Sequence, residues 1–195
     1  MPKVLVVNNY PTQERVTRLE GSIEGNGAAV KSMDWSEVSA SKFDSFDGVA
    51  LSGSPDMMTE EKTRSKFAKE SQAILDAHVP ILGVCFGHQL MAHAFGAPVV
   101  RDKRHVQEMV KTSVLGEDPL FEDLPKSLTL LESRYEVVGA IPEGFSLLAR
   151  SATTEIAAMK HGNRPLYGVQ FHPERFTIAN PEGNKIIGNF VSLLR

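Results

Sequence analysis

The stretch PILGVCFGHQLMAHAF, Pro80–Phe95, decides how this chain folds. It opens with an apolar run, Pro80–Cys85, that reads as a buried strand. It then passes at once into Gly87–Phe95, which reads as a short helix. Between the two, Gly83-Val84-Cys85-Phe86-Gly87 has the form G-x-nucleophile-x-G. Glycines on both sides let a strand turn sharply into a helix without a Cβ clash, and the central side chain is pushed out above the carboxyl edge of the sheet. A thiol there sits at a helix N-terminus, where the thiolate form is favoured. The Phe86 N–H is left free to meet a developing oxyanion. A lone cysteine elsewhere is usually a small buried apolar side chain. The flanking glycines and the strand-to-helix context select the nucleophilic reading of Cys85.

The same alternation continues outward. Val4–Val7 and Asp47–Gly53 are further apolar strands. Thr12–Gly25 reads as a helix, with Thr12 as N-cap and Gly25-Asn26-Gly27 as its stop. Thr59–Ala77 reads as another, with Glu60 and Glu61 at its positive end. This order predicts an α/β fold: a mostly parallel central sheet with helices on both faces. The second half differs. Val110–Leu115, Leu128–Glu132, Ser146–Arg150, Ile156–Lys160 and Leu166–Phe171 are short strand candidates separated by turns, which predicts added antiparallel strands. Gly183–Leu194 closes the chain as an amphipathic helix. No linker or repeat interrupts residues 1–195, so a single domain is expected.

Bulk properties narrow the function classes. The chain has 195 residues and a net charge of −3, with 42% hydrophobic residues. Lys103-Arg104-His105 is its densest basic run, so no basic stripe points to nucleic acid. No apolar run approaches the roughly 18 residues that span a membrane. The start, MPKVLVV, lacks the layout of a signal peptide, and one cysteine forms no internal disulfide. A cytoplasmic, reducing setting is expected.

A thiol nucleophile needs a base. Among six histidines, His172 ends the apolar run LYGVQFH and is followed by Pro173-Glu174. A histidine at a strand's end lies on the same carboxyl edge as the Cys85 turn. Glu174 is placed to hold the imidazole by its second nitrogen. His88, on the helix after Cys85, points away and reads as structural or substrate-adjacent. Ser52-Gly53-Ser54-Pro55 ends another strand in a glycine turn, where the Ser54 N–H is a candidate second oxyanion donor.

Together these pieces resemble the class I (triad) glutamine amidotransferases over nearly the whole chain. GVCFGHQL (Gly83–Leu90) looks like the family's nucleophile motif, VQFHPE (Val169–Glu174) like its His-Pro-Glu motif, and ALSGSP (Ala50–Pro55) like its oxyanion strand. The resemblance implies a flavodoxin-like sheet and a triad of Cys85, His172 and Glu174. It implies an oxyanion hole at Gly53, Ser54 and Phe86, and glutamine held by Gln89, Ser133, Arg134 and Tyr135. Within the family, VVNN (Val6–Asn9), the run Leu147–Glu174 and GNKIIGNF (Gly183–Phe190) are most similar to the glutaminase subunits of two-chain, archaeal-type GMP synthetases. That likeness implies hydrolysis of glutamine to glutamate and ammonia, and delivery of the ammonia to a separate ATP-pyrophosphatase subunit that aminates XMP to GMP. ATP and magnesium then belong to the partner, and no cofactor or metal to this chain.

Two departures mark the sequence. Ser54 stands where the family usually has the second glycine of Gly-Gly-Pro, and a left-handed backbone would strain a serine there. Ser133-Arg134-Tyr135-Glu136 matches the usual Ser-His-x-Asp stretch, with Arg134 for the histidine and Glu136 for the aspartate. The altered loop leaves two other readings open: a free-standing γ-glutamyl hydrolase or amidotransferase of another pathway, and a non-catalytic regulatory module of the same fold.

Overall fold

The computed structural model describes residues 1–194, with Glu14 described by its backbone alone. Its first half runs β1 (Lys3–Asn8), α1 (Thr17–Gly25), β2 (Ala29–Asp34), α2 (Ala40–Phe43), β3 (Gly48–Leu51), α3 (Glu61–Lys66), α4 (Ala68–Asp76), β4 (Ile81–Val84) and α5 (Phe86–Ala94). The second half adds β5 (Val99–Val114), β6 (Ser127–Val138), β7 (Phe145–Ser151), β8 (Ala158–His161), β9 (Leu166–Val169) and α6 (Glu182–Ser192).

Why β1 carries four consecutive apolar residues is seen in what covers its two faces. Val4 and Val6 pack with Leu19 and Ile23 of α1 and with Ile186 and Phe190 of α6. Leu5 and Val7 face the other way, onto Phe67, Ile74 of α4 and Leu90 of α5. Each such fully buried side chain contributes roughly 1.5–3 kcal/mol. The nine strands form one sheet in the order β2-β1-β3-β4-β9-β8-β7-β5-β6. The first five are parallel. From β9 onward each pairing is antiparallel. The order 2-1-3-4 with β9 in fifth place is the flavodoxin-like arrangement, in which ligands bind beyond the carboxyl ends of the strands. β1, β3, β4 and β9 therefore deliver Asn9-Tyr10, Ser52–Ser54, Cys85 and His172 to one edge.

Several element boundaries differ from the sequence expectation. α1 starts at Thr17, after a 3-10 turn at Gln13–Arg15, and the Thr12 side chain caps nothing. The helix expected over Thr59–Ala77 breaks at Phe67, whose ring is buried against Trp35 and Phe86 at centroid distances of 5.0 and 4.7 Å. Two of the antiparallel strands are far longer than their apolar segments, because β5 is polar along its exposed face. β2 is a half-buried edge strand with no apolar run to signal it in the sequence.

The Cys85 turn is packed backbone to backbone. A Cβ on Gly83 would lie 2.6 Å from the carbonyl group of Gly87, and one on Gly87 would lie 2.7 Å from both Cβ and O of Leu51. Around Gly21 of α1, a Cβ would meet nothing within 4 Å. Urea unfolding should therefore separate the two glycines: Gly87→Ala destabilises by about 1–3 kcal/mol, while Gly21→Ala stabilises by about 0.5–1 kcal/mol.

Candidate active site

Cys85 has φ 52° and ψ −99°, one of two non-glycine residues with positive φ among those described. Such a backbone costs on the order of 1–3 kcal/mol and persists only where its surroundings over-determine it. Here the Cys85 N–H donates to the Val169 carbonyl at 2.8 Å, and the Cys85 carbonyl accepts from the Gln89 N–H at 3.1 Å. The sulfur stands at the N-terminus of α5, where Phe86 is the first helical residue and its N–H has no intrahelical acceptor. The Sγ lies 3.6 Å from the Ser133 carbonyl and 3.7 Å from the Gln170 amide nitrogen.

A cleft of about 210 Å³ opens here, lined among others by Tyr10, Ser54, Cys85, Gln89, Tyr135 and His172. His172 arrives from the end of β9, anchored by its N–H to the Leu131 carbonyl at 2.8 Å. Its Nδ1 pairs with Glu174 Oε1 at 2.7 Å, and both side chains are buried. Burial by itself disfavours the charged imidazole. The Glu174 carboxylate and the Cys85 sulfur outweigh it, and His172 is raised well above the usual histidine range. Burial likewise works against the Glu174 carboxylate, but the facing imidazolium prevails and holds it below its usual range. The two directions agree on a buried ion pair beside a thiol. Such a set can hold a thiolate and supply or accept one proton at Nε2.

The other residues that the sequence singles out divide between the cleft and the protein interior. Ser54 has no positive φ, so serine is unstrained there. Its hydroxyl accepts from the Asp56 N–H at 3.1 Å, and its own N–H donates to no other described residue. The Gln89 amide nitrogen donates to the Glu136 carbonyl at 2.8 Å and to Gln170 Oε1 at 3.2 Å, which leaves only its oxygen for a ligand. Arg134 borders the cleft, but its guanidinium is buried and turned into the protein. There it pairs with Glu132 at 2.8 Å, with Asp102, and with the Thr153 carbonyl. Tyr135 is half exposed and stacks on His105 at 4.0 Å. Glu136 is buried and accepts from the Met58 and Thr59 N–H groups, which ties β6 to the segment after β3. His88 is buried against Gly168, away from the cleft, and burial pushes its pKa down to about 3.

Sequence reasoning missed Tyr10 and Gln170. Tyr10 lies over Gly53, close enough that a Cβ on that glycine would strike its hydroxyl. Burial first, then the Cys85 sulfur and Glu174, push its phenol up to about 12. Only its place directly after a strand that ends on the same edge could have flagged it. Gln170, two residues before His172, points to the same face and touches Sγ, a signal contained in the period of two along a strand.

A flavodoxin-like sheet carrying a cysteine elbow, with a His-Glu pair from the neighbouring strand, is the arrangement of the triad amidotransferases. The family model described as "Glutamine amidotransferase class-I" matches residues 6–193, and the chain belongs to that family. Among individual proteins, the chain is 42% identical over 151 residues to a subunit of the glutamine-hydrolyzing GMP synthase of Thermococcus kodakarensis, covering 75% of this chain and 74% of that one. It is 29% identical over 193 residues to the protein of the same name from Archaeoglobus fulgidus, covering 99% of each. The crystal structure of a Thermoplasma acidophilum protein assigned as the same GMP synthase component superposes with a TM-score of 0.88 at 32% identity, covering all of this chain and 94% of that one.

The charges of the site and its wall lead to two expected outcomes. In Glu174→Gln the His172 titration, followed by NMR at its Cε1–H, moves to lower pH. The native pair loses its stabilising effect as pH rises through the raised His172 pKa, and again as pH falls through the lowered Glu174 pKa. The stability gap between native and Glu174→Gln is therefore widest between those limits. Arg134→Ala leaves Glu132 buried without its cation, and urea unfolding should show a loss of about 3–5 kcal/mol.

Proposed function

We propose that Cys85, His172 and Glu174 hydrolyse glutamine to glutamate and ammonia, and that the ammonia passes to a separate synthetase subunit. The observation that carries this reading is the strained Cys85 at the head of α5 with the buried His172–Glu174 pair lining the same cleft. The Cys85 thiolate adds to the side-chain carbonyl of glutamine. The N–H groups of Phe86 and Ser54, with Gly53 forming the turn, receive the oxyanion. His172 gives its proton to the amide nitrogen, the C–N bond breaks, ammonia leaves and a glutamyl thioester remains. His172 then takes a proton from water, the hydroxide adds to the thioester, and collapse releases glutamate and regenerates the thiolate. Glu174 holds the imidazole ring and balances its charge throughout.

The rim of the cleft holds the rest of the substrate in this reading: the oxygen of Gln89, the backbone of Ser133 and Arg134, and the ring of Tyr135. The names of the relatives support GMP synthesis, so XMP is the proposed acceptor. ATP and magnesium are assigned to the partner, residues 1–195 to one glutaminase domain, and the setting to the cytoplasm. None of the helices is long and apolar enough to cross a membrane among the described residues.

With a purified synthetase partner present, Cys85→Ala should lower glutamine hydrolysis by about 10⁴- to 10⁶-fold, as removal of a triad nucleophile does. A glutamine-like chloroketone should label native Cys85 and spare the variant. Undiminished hydrolysis in Cys85→Ala ends the mechanism.

A further inference from the structure

Behind the cleft, a buried polar chain joins α4 to the ends of β1 and β3, and the proposed chemistry does not use it. Glu70, in the first turn of α4, is fully buried, as are Asn9 and Ser52. Asn9 Nδ2 donates to Glu70 Oε1 at 3.1 Å and to the Ser52 carbonyl at 3.3 Å. The Asn9 N–H donates to Ser52 Oγ at 2.9 Å, and that hydroxyl donates to the Gly53 carbonyl, also at 2.9 Å. A trans peptide points its C=O and N–H in opposite directions. Holding the Gly53 carbonyl against Ser52 therefore turns the Ser54 N–H, which belongs to the same peptide unit, to the opposite side.

Two buried oxygens of this chain have no partner among the described residues: Asn9 Oδ1 and Glu70 Oε2. With Glu70 as a carboxylate both are acceptors, and a buried ion with an oxygen unpaired is strongly disfavoured. One proton on Oε2 supplies the missing donor, and the unpaired Asn9 Oδ1 is an acceptor on the side chain already bonded to Oε1. We propose that Glu70 is a neutral carboxylic acid that sets the direction of the Ser54 N–H through Asn9 and Ser52, which rests on reading the Cys85 cleft as the site of glutamine hydrolysis. Glu70 touches no substrate; it is a positioning residue.

The electrostatics agree. Burial raises the Glu70 pKa most, the Asn9 amide draws it back, Asp34 adds to the rise, and the result is about 8. Asn9 faces Glu70 from β1 and is neutral; Asp34 faces it from the end of β2 and is the charged group acting on it. The favourable field of a helix's first turn is too small to reverse this degree of burial.

Two variants test the proposal, each by two measurements. Glutamine at position 70 keeps a neutral acceptor for Asn9 Nδ2 and a donor in place of the acid proton, whereas leucine supplies neither. With the synthetase partner present, Glu70→Gln should hold kcat within about twofold of native at pH 6.5 and exceed native at pH 9, where native Glu70 has ionised. Glu70→Leu should lose about 10- to 100-fold in kcat at every pH, with KM nearly unchanged, because a misdirected oxyanion donor acts on the transition state alone. Urea unfolding from about pH 5 to 9, without substrate, gives the second measurement. Native stability relative to Glu70→Gln should fall as pH rises, since an acid whose native pKa lies above its unfolded value binds more protons when folded. Parallel stability curves for native and Glu70→Gln overturn the neutral acid. Native kcat in Glu70→Leu, or a change confined to KM, overturns the positioning role. The stability measurement involves no glutamine, so a native protein that lacks Cys85-dependent hydrolysis refutes the reading of the cleft and the positioning with it, while the acid form of Glu70 is still decided by the stability curves.

Discussion

The structure depends on one turn that L-amino acids resist. At Cys85 the chain leaves β4 and enters α5 with a positive φ, and the residue there keeps a side chain. A glycine would relieve the strain and remove the thiol. The chain instead places its glycines at 83 and 87, where they let the two arms of the turn and the neighbouring strand β3 close to contact. The unfavourable backbone at Cys85 is then over-determined by β9 on one side, through the bond to the Val169 carbonyl, and by the first turn of α5 on the other. Strain of a few kcal/mol is offset by a core in which both faces of the parallel strands are covered.

That turn also explains why the site assembles from such distant stretches. Four parallel strands, adjacent in the sheet, end at the same edge, so the residue after each is brought beside Cys85 without any special loop. β9 matters most, because its parallel pairing with β4 places Gly83 opposite Gly168 and Val84 opposite Val169. Three residues past that register lies His172. A shift of one residue in the pairing would exchange the faces of β9 and move Gln170 off the sulfur.

How much of this the sequence discloses depends on how local each constraint is. The elbow, its glycines and the His-Pro-Glu stretch are legible because each is a short motif with its own backbone demand. The parallel half is legible because strands covered on both faces must be continuously apolar, as Val4–Val7 and Ile81–Val84 are. The long pair β5–β6 is not legible from apolar runs. Half its residues face solvent, and long-range pairing rather than local composition makes RDKRHVQEMVK a strand. Phe67 is a similar case: helix propensity would carry the chain through it, but burial of its ring between Trp35 and Phe86 prevails and breaks the helix. Gln89 and Arg134 stand out in the sequence by motif position alone. Motif position says that a residue borders the cleft, but it does not say where the side chain's hydrogen bonds go.

Arg134 shows what that distinction means physically. Its guanidinium joins β6 to Asp102 of β5 and, through Glu132, to Ser151 at the end of β7 and Thr153 just beyond it. A buried arginine between two carboxylates adds little net stability over an apolar cluster of similar size, yet it tolerates only one geometry. Its fork of donors fixes the backbone of residues 133–135, and the Ser133 carbonyl in that segment is the one that meets the Cys85 sulfur. Two residues further along the same face of β6, Glu136 accepts from the Met58 and Thr59 N–H groups and ties the strand to the segment after β3. The two departures from the usual Ser-His-x-Asp stretch therefore work in one direction. Both engage longer charged side chains in bonds within the protein and use them to hold the wall rigid. A rigid wall with these side chains already paired presents backbone groups and one aromatic ring on this side of the cleft, while other charged side chains of the lining, Arg15, Asp56 and Arg175, come from other segments.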